Sequence, residues 1–166
     1  MNLWLSTLLM GVAATAFIDL WSLVRAQWLG VTKPDFGLVW RWMAGIPAGR
    51  LQSPNIQQAP AVPGEAWLGW CAHYAIGVSF AAALIAWQGE HWLTKPTLLP
   101  ALVVGLVTVM APFLLMQPGM GLGIAAAKTA HPNSARLHSL ITHLLFGFGL
   151  YGSAVLIQLF RHPLSL

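Results

Sequence analysis

Two histidines stand in the same local pattern. Gly69, His73 and Gly77 lie in "GWCAHYAIG", and Ser139, His143 and Gly147 in "SLITHLLFG". Positions four apart share one face of a helix, so each imidazole sits on a smooth stripe where another helix, or a flat ligand, can come close. Both stretches are apolar, and an ionisable side chain inside a membrane segment is a functional-site hypothesis by default. Asp19 in "TAFIDLW" and Gln117 in "MQPGMG" are two further polar residues at the edges of apolar runs.

Several chemistries fit these residue types. Asp19, His73 and His143 form a carboxylate and two imidazoles, a usual ligand set for zinc or iron, or a relay that passes protons beside a substrate. Alternatively, His73 and His143 could ligate a b-type haem as an electron-transfer subunit, with Arg136, Arg41 or Arg50 meeting its propionates. The plainer reading is that the histidines hydrogen-bond between helices, and that the bundle is a structural accessory subunit of a larger membrane complex or a homo-oligomer. Catalysis is the less favoured reading. Ser22, Ser79, Ser139 and Ser153 lack a nucleophile-elbow motif, and Glu65 and Glu90 fall at opposite membrane faces. His91, His131, His138 and His162 fall in loops or at helix ends, where solvated roles suffice.

The elements that must position these residues follow from composition. The chain has 166 residues, 57% hydrophobic and 7% charged, against about 25% charged in an ordinary soluble domain. Apolar runs at 3–24, 68–87, 98–116 and 137–160 each approach the roughly 20 residues that cross a hydrocarbon core as a helix. Backbone groups in lipid must be paired within their own segment, so the expectation is all-α. It is a polytopic membrane protein with one four-helix domain over residues 1–166. No Lys or Arg precedes the first run, so it is read as a retained helix rather than a leader.

The net charge of +4 is scattered along loops rather than massed on one face, which argues against nucleic acid as a partner. Arg25, Lys33, Arg41 and Arg50 follow helix one, and Lys128 and Arg136 follow helix three. Lys95 and Arg161 lie on the other side. The positive-inside rule then places both long loops in the cytoplasm and both termini in the periplasm. Trp21, Trp28, Trp67 and Trp70 at one interface, with Trp4, Trp87 and Trp92 at the other, suit aromatic belts against the lipid bilayer. Cys71 is read as a small apolar filler.

Between helices one and two, "FGLVWRWMAGI" (36–46) suits a short interfacial helix, and "LQSPNIQQAPAVPGEAW" (51–67) is too rich in Pro, Gln and Asn for a continuous helix. Pro112 should kink helix three. The matched histidine helices, with a looser match between "MGVAAT" and "VGLVT", imply a weak two-plus-two duplication. Counting 1.5 Å per residue, His73 and His143 lie on the order of 10 to 12 Å inside the cytoplasmic boundary and Asp19 roughly 9 Å. Gln117 closes helix three at the same face. A buried layer of Asp19, His73, Gln117 and His143, suited to binding or passing a small ligand, metal ion or proton, is the expected site.

The stretches "TAFIDLW", "GWCAHYAIG", "KPTLLPALVVGLVTVMAPFLLMQPGMGLGIAAAKT" and "ARLHSLITHLLFGFGLY" also resemble the bacterial inner-membrane family catalogued as domain of unknown function 2938. The resemblance covers nearly the whole chain. It implies a small multi-spanning protein of the inner membrane and adds no chemistry.

Overall fold

Asn2 opens the first helix. Its side chain accepts the Leu5 backbone N–H at 2.8 Å, giving an otherwise orphaned donor a partner, and helix α1 (Leu3–Leu29) runs from there. The structure, a computed structural model, describes residues 2–161, so His162 lies outside the described residues. Helices α2 (Phe36–Met43) and α3 (Glu65–Gln88) follow. Helix α4 (Leu98–Thr108) leads to a π-helical stretch at Pro112–Met116 and a short α5 (Gln117–Gly119), and α6 (Pro132–Arg161) closes the chain. The described residues contain no strand.

Four segments are long and apolar enough to cross a membrane: Leu3–Trp28, Glu65–Gln88, Leu98–Gly119 and Pro132–Phe160. The all-α, four-span expectation holds. The apolar runs were shorter than the helices at three ends. Helix α1 continues beyond Val24 to Leu29, α3 begins at Glu65, and α6 begins at Pro132 rather than at 137. Helical hydrogen bonding is indifferent to side-chain polarity, so it extends through "RAQWL" and "PNSAR". Proline suits the first position of α6, where its missing N–H costs nothing. Pro112, expected to kink helix three, is accommodated by the wider π-helical turn that begins with it.

The chain divides into two compact units. Unit one contains Met1–Thr32, Tyr74–Thr108 and Thr142–Leu166. Its core is Met10 and Ala14 of α1, Ala81, Leu84 and Ile85 of α3, Ala101 of α4, and Phe146, Leu150, Ala154 and Ile157 of α6. Trp92 and Leu93, in the turn after α3, complete it. Trp92, assigned above to an aromatic belt, is therefore a core residue, 3% exposed. The outer faces are apolar as well: Leu5, Leu8, Phe17 and Leu20 of α1 and Leu156 of α6 are exposed. Such a surface suits lipid. Trp4 and Trp28, both exposed, stand about 36 Å apart along α1 at 1.5 Å per residue, enough to bracket the hydrocarbon core.

Unit two contains Lys33–His73 and Val109–Ile141. Asp35 caps α2 by accepting the Gly37 N–H at 2.9 Å. Arg41 of α2 pairs with Glu65, and its Nη1 donates to the carbonyls of Ile56 and Ala59 at 3.2 and 3.0 Å. One guanidinium thus ties the polar loop to the first residue of α3. The hydrogen bond to Glu65 raises the Arg41 pKa above its ordinary value, against a smaller opposing effect of burial. Trp42 Nε1 donates to Leu51 O at 2.9 Å, and Ser53 N to Gly119 O at 2.7 Å, so the loop is folded along its length. Cys71, read as a filler, is exposed.

Candidate functional site

His143 lies on α6 inside unit one. Its Nδ1 is 3.0 Å from Thr108 Oγ1, and that hydroxyl lies 2.7 Å from Gly105 O, to which it donates. The small residues around His143 are filled by protein. A Cβ on Gly105 would fall 2.9 Å from Gly147 Cα, and one on Gly147 would fall 2.8 Å from Ala101 O. Helices α4 and α6 approach each other closely through this pair of glycines.

His73 closes the other unit. Its ring stacks on Phe36 with centroids 3.9 Å apart and planes 17° apart, and Trp70 meets Phe36 edge-on at 4.9 Å. Gly69, one turn earlier on α3, packs against the Phe36 carbonyl, so closely that any Cβ would collide with it. The short helix α2 that was expected to lie on the membrane surface therefore packs onto α3 beside His73. Gly77, the other member of the motif, lies in unit one against Thr15 of α1. The two matched histidine motifs thus have different neighbours: an aromatic stack for one, a threonine hydroxyl for the other.

Arg136, proposed above for haem propionates, donates from Nε to Ala125 O at 2.8 Å and from Nη1 to Asn133 Oδ1 at 3.1 Å. It braces the loop in which Ala125 and Ala126 adopt φ of 48° and 59°, a conformation that costs an alanine free energy unless its surroundings hold it. Among the described residues no three His, Cys, Asp or Glu side chains form a group that could hold a metal ion. The metal set of Asp19, His73 and His143 gains no support from this, and neither does haem.

Two of the four expected residues look different. Gln117 begins α5, directly after the π-helical stretch, and is 6% exposed. Its Oε1 is buried without a hydrogen-bond partner. Wide helical turns of this kind recur at functional sites, because they displace the ladder and re-aim side chains. Asp19, in unit one, makes a side-chain hydrogen bond with Tyr74 of α3.

Three further polar side chains inside a spanning helix were not found by reading the sequence. Trp21 Nε1, Ser22 Oγ and Arg25 Nε, all on α1, are buried and have no hydrogen-bond partner. Arg25 was assigned to the loop because it follows the last apolar residue, and so it was read only as a topological signal. Its burial depends on α1 continuing for another turn. The signal available was the helix-compatible "RAQWL", which carries no breaker before Gly30.

The resemblance noted in the motifs is confirmed: the chain belongs to the family described as protein of unknown function (DUF2938), matched over residues 8–157. No curated protein and no solved structure is similar to it.

Proposed function

We propose that this chain is a multi-pass protein of the bacterial inner membrane, with both termini periplasmic, that binds or passes a small polar ligand at side chains carried inside its spanning helices. In this reading the polar face of α1 that includes Asp19 meets the ligand in unit one, where His143 ties α6 to α4. In unit two Gln117 carries an unpaired buried oxygen of its own, and His73 stacks on Phe36.

The observation that carries the proposal is the set of buried polar atoms without a protein partner in those helices: Trp21 Nε1, Ser22 Oγ, Arg25 Nε and Gln117 Oε1. Leaving a buried donor or acceptor unpaired costs about 1–3 kcal/mol, more for a charged group. A protein that needed only a stable bundle would gain by placing apolar residues there. A ligand that satisfies the atoms gives them a purpose.

The test is a thermal-shift panel on the protein purified in a neutral detergent, with phosphates, carboxylates, sugars, amines and simple salts as separate classes. One class is expected to raise the midpoint of the wild type in a saturable way, and Gln117→Leu or Ser22→Ala to abolish or weaken the response. A wild type that responds to no class, with both variants simply more heat-stable, would show that the unpaired atoms are uncompensated structure and would end the proposal.

A further inference from the structure

Buried hydroxyls in unit one follow a rule. Ser6, Thr7, Thr15 and Ser153 each hand their proton to the carbonyl four residues back, at 2.9, 3.0, 2.8 and 2.6 Å. Ser22 departs from it, since its buried Oγ has no partner. Arg25, one turn further along α1, is 7% exposed, and its Nε–H has no acceptor. Among the described residues no carboxylate pairs with it. The buried indole N–H of Trp21 is a third donor left bare.

Helix geometry puts these three together. At 100° per residue, Trp21 stands about 40° to one side of Arg25 and Ser22 about 60° to the other, both one turn nearer the start of α1. Side chains on a helix lean toward its N-terminus, so Arg25 shares a stripe of α1 with the turn that carries Trp21 and Ser22. Asp19 stands about 120° around the helix from Arg25 and is bonded to Tyr74. The result is a patch of three donors, one of them permanently charged, with the Asp19 carboxylate beyond Ser22 on the same helix.

We infer that Trp21, Ser22 and Arg25 form a binding site for a phosphate group. The planar guanidinium takes two oxygens of an oxyanion side by side, and the hydroxyl and the indole N–H each require one more. The two oxygens of a carboxylate lie in the plane of the guanidinium fork that takes them, whereas a tetrahedral phosphate also presents oxygens out of that plane, toward donors standing to either side of Arg25. Arg25 lies four residues before the end of α1, on the order of 6 Å along the axis. The three donors thus lie about 6 to 12 Å from the end of α1, where a phosphate can arrive either as part of a phospholipid headgroup or as a free ion entering from water. This inference rests on the reading that the spanning helices house a ligand, and it names the class of that ligand.

The experiment measures binding of two probes, inorganic phosphate and a short-chain phosphatidylglycerol, to the full chain in neutral detergent by calorimetry and thermal shift. Saturable binding of phosphate identifies the free ion as the source. Binding of the lipid alone identifies the headgroup. In either case Arg25→Gln should weaken binding by at least about tenfold and Arg25→Lys should restore it only in part, because an ammonium lacks the fork. Trp21→Phe and Ser22→Ala remove one neutral donor each without touching the charge. They should cost about fivefold apiece, which keeps the test available if Arg25→Gln does not fold. Equal affinity in the wild type and in all these variants overturns the site. Binding of a carboxylate, sugar or amine without phosphate overturns the phosphate class and leaves the ligand-binding reading standing. Binding of nothing overturns both.

Discussion

Thr108 Oγ1 and His143 Nδ1 lie 3.0 Å apart, and the hydroxyl is also 2.7 Å from Gly105 O. A threonine hydroxyl has one proton. With that proton donated to the carbonyl, Thr108 accepts from the imidazole and Nδ1 is the protonated nitrogen; in the other tautomer Thr108 donates to Nδ1 instead. The bond ties α6 to the last residue of α4. Polar pairs between spanning helices average about 0.6 kcal/mol and reach roughly 1.7. A double-mutant cycle of His143→Gln and Thr108→Val, read by denaturant unfolding in detergent, should give a coupling in that range, with every variant folded. Loss of a bound metal or haem in His143→Gln would contradict the structural role assigned here.

The glycines around that bond give a sharper expectation. A Cβ on Gly147 would sit 2.8 Å from Ala101 O and 3.0 Å from Leu102 Cα, both backbone atoms that cannot rotate away. Gly147→Ala must push α4 and α6 apart and should cost about 1–3 kcal/mol, as overpacking does. Gly152, on the same helix, has nothing within 4 Å of a built Cβ. Gly152→Ala should stabilise by about 0.5–1 kcal/mol, by reducing the freedom of the unfolded chain. Thermal unfolding of the two variants should move in opposite directions; movement in the same direction would mean the helix contact is not where these distances put it.

What the sequence made legible is the part governed by one variable, apolar length. Four spans follow from it, while the break at Pro112 and the loop helix at Phe36–Met43 follow from equally local signals, a proline and an amphipathic pattern. The site was harder, because polarity at a helix end has two meanings that look alike in sequence. Arg25 and Arg41 are both cations just outside an apolar run, yet one is buried within α1 and the other binds Glu65 and two loop carbonyls. Which of these occurs depends on packing partners distant in the chain. The small-xxx-His-xxx-Gly motif leaves two meanings open for the same reason. It predicts a smooth stripe correctly and says nothing about whether a helix or a ligand fills it. At Gly69 the filler is the backbone of Phe36, and at Gly147 it is α4.

Arg41 supplies the next expectation. Its Nε and Nη2 bind the two oxygens of Glu65, while Nη1 reaches the carbonyls of Ile56 and Ala59. Lysine keeps the charge and loses the fork, so it can hold the carboxylate or the loop, not both. Arg41→Lys should leave the spanning bundle intact and speed proteolytic cleavage within residues 51–64 by about tenfold or more, since cleavage tracks local opening. Unchanged cleavage in Arg41→Lys would mean that charge alone, without the fork, holds the loop.

Orientation in the membrane gives the last expectation. Positive-inside bias acts through Lys and Arg in short loops during insertion, before any of them has found its final partner. Residues 30–64 form such a loop, carrying Lys33, Arg41 and Arg50, and Lys128 and Arg136 flank α6. The opposing side has Lys95 and Arg161. An alkaline phosphatase fused after Leu166 should therefore be active, and a cytoplasmic fluorescent reporter at the same place dark. Arg41 and Arg136 hold carbonyls in the folded loops, so altering them would confuse topology with folding. Lys33, Arg50 and Lys128 are exposed and carry the bias without that complication. Replacing all three with Gln should reduce the difference between the two sides enough to yield a mixed population, with phosphatase activity falling and reporter fluorescence appearing. A bright cytoplasmic reporter on the unaltered chain would reverse the assignment, placing the loop held by Arg41 and the end of α1 that carries Arg25 on the periplasmic face.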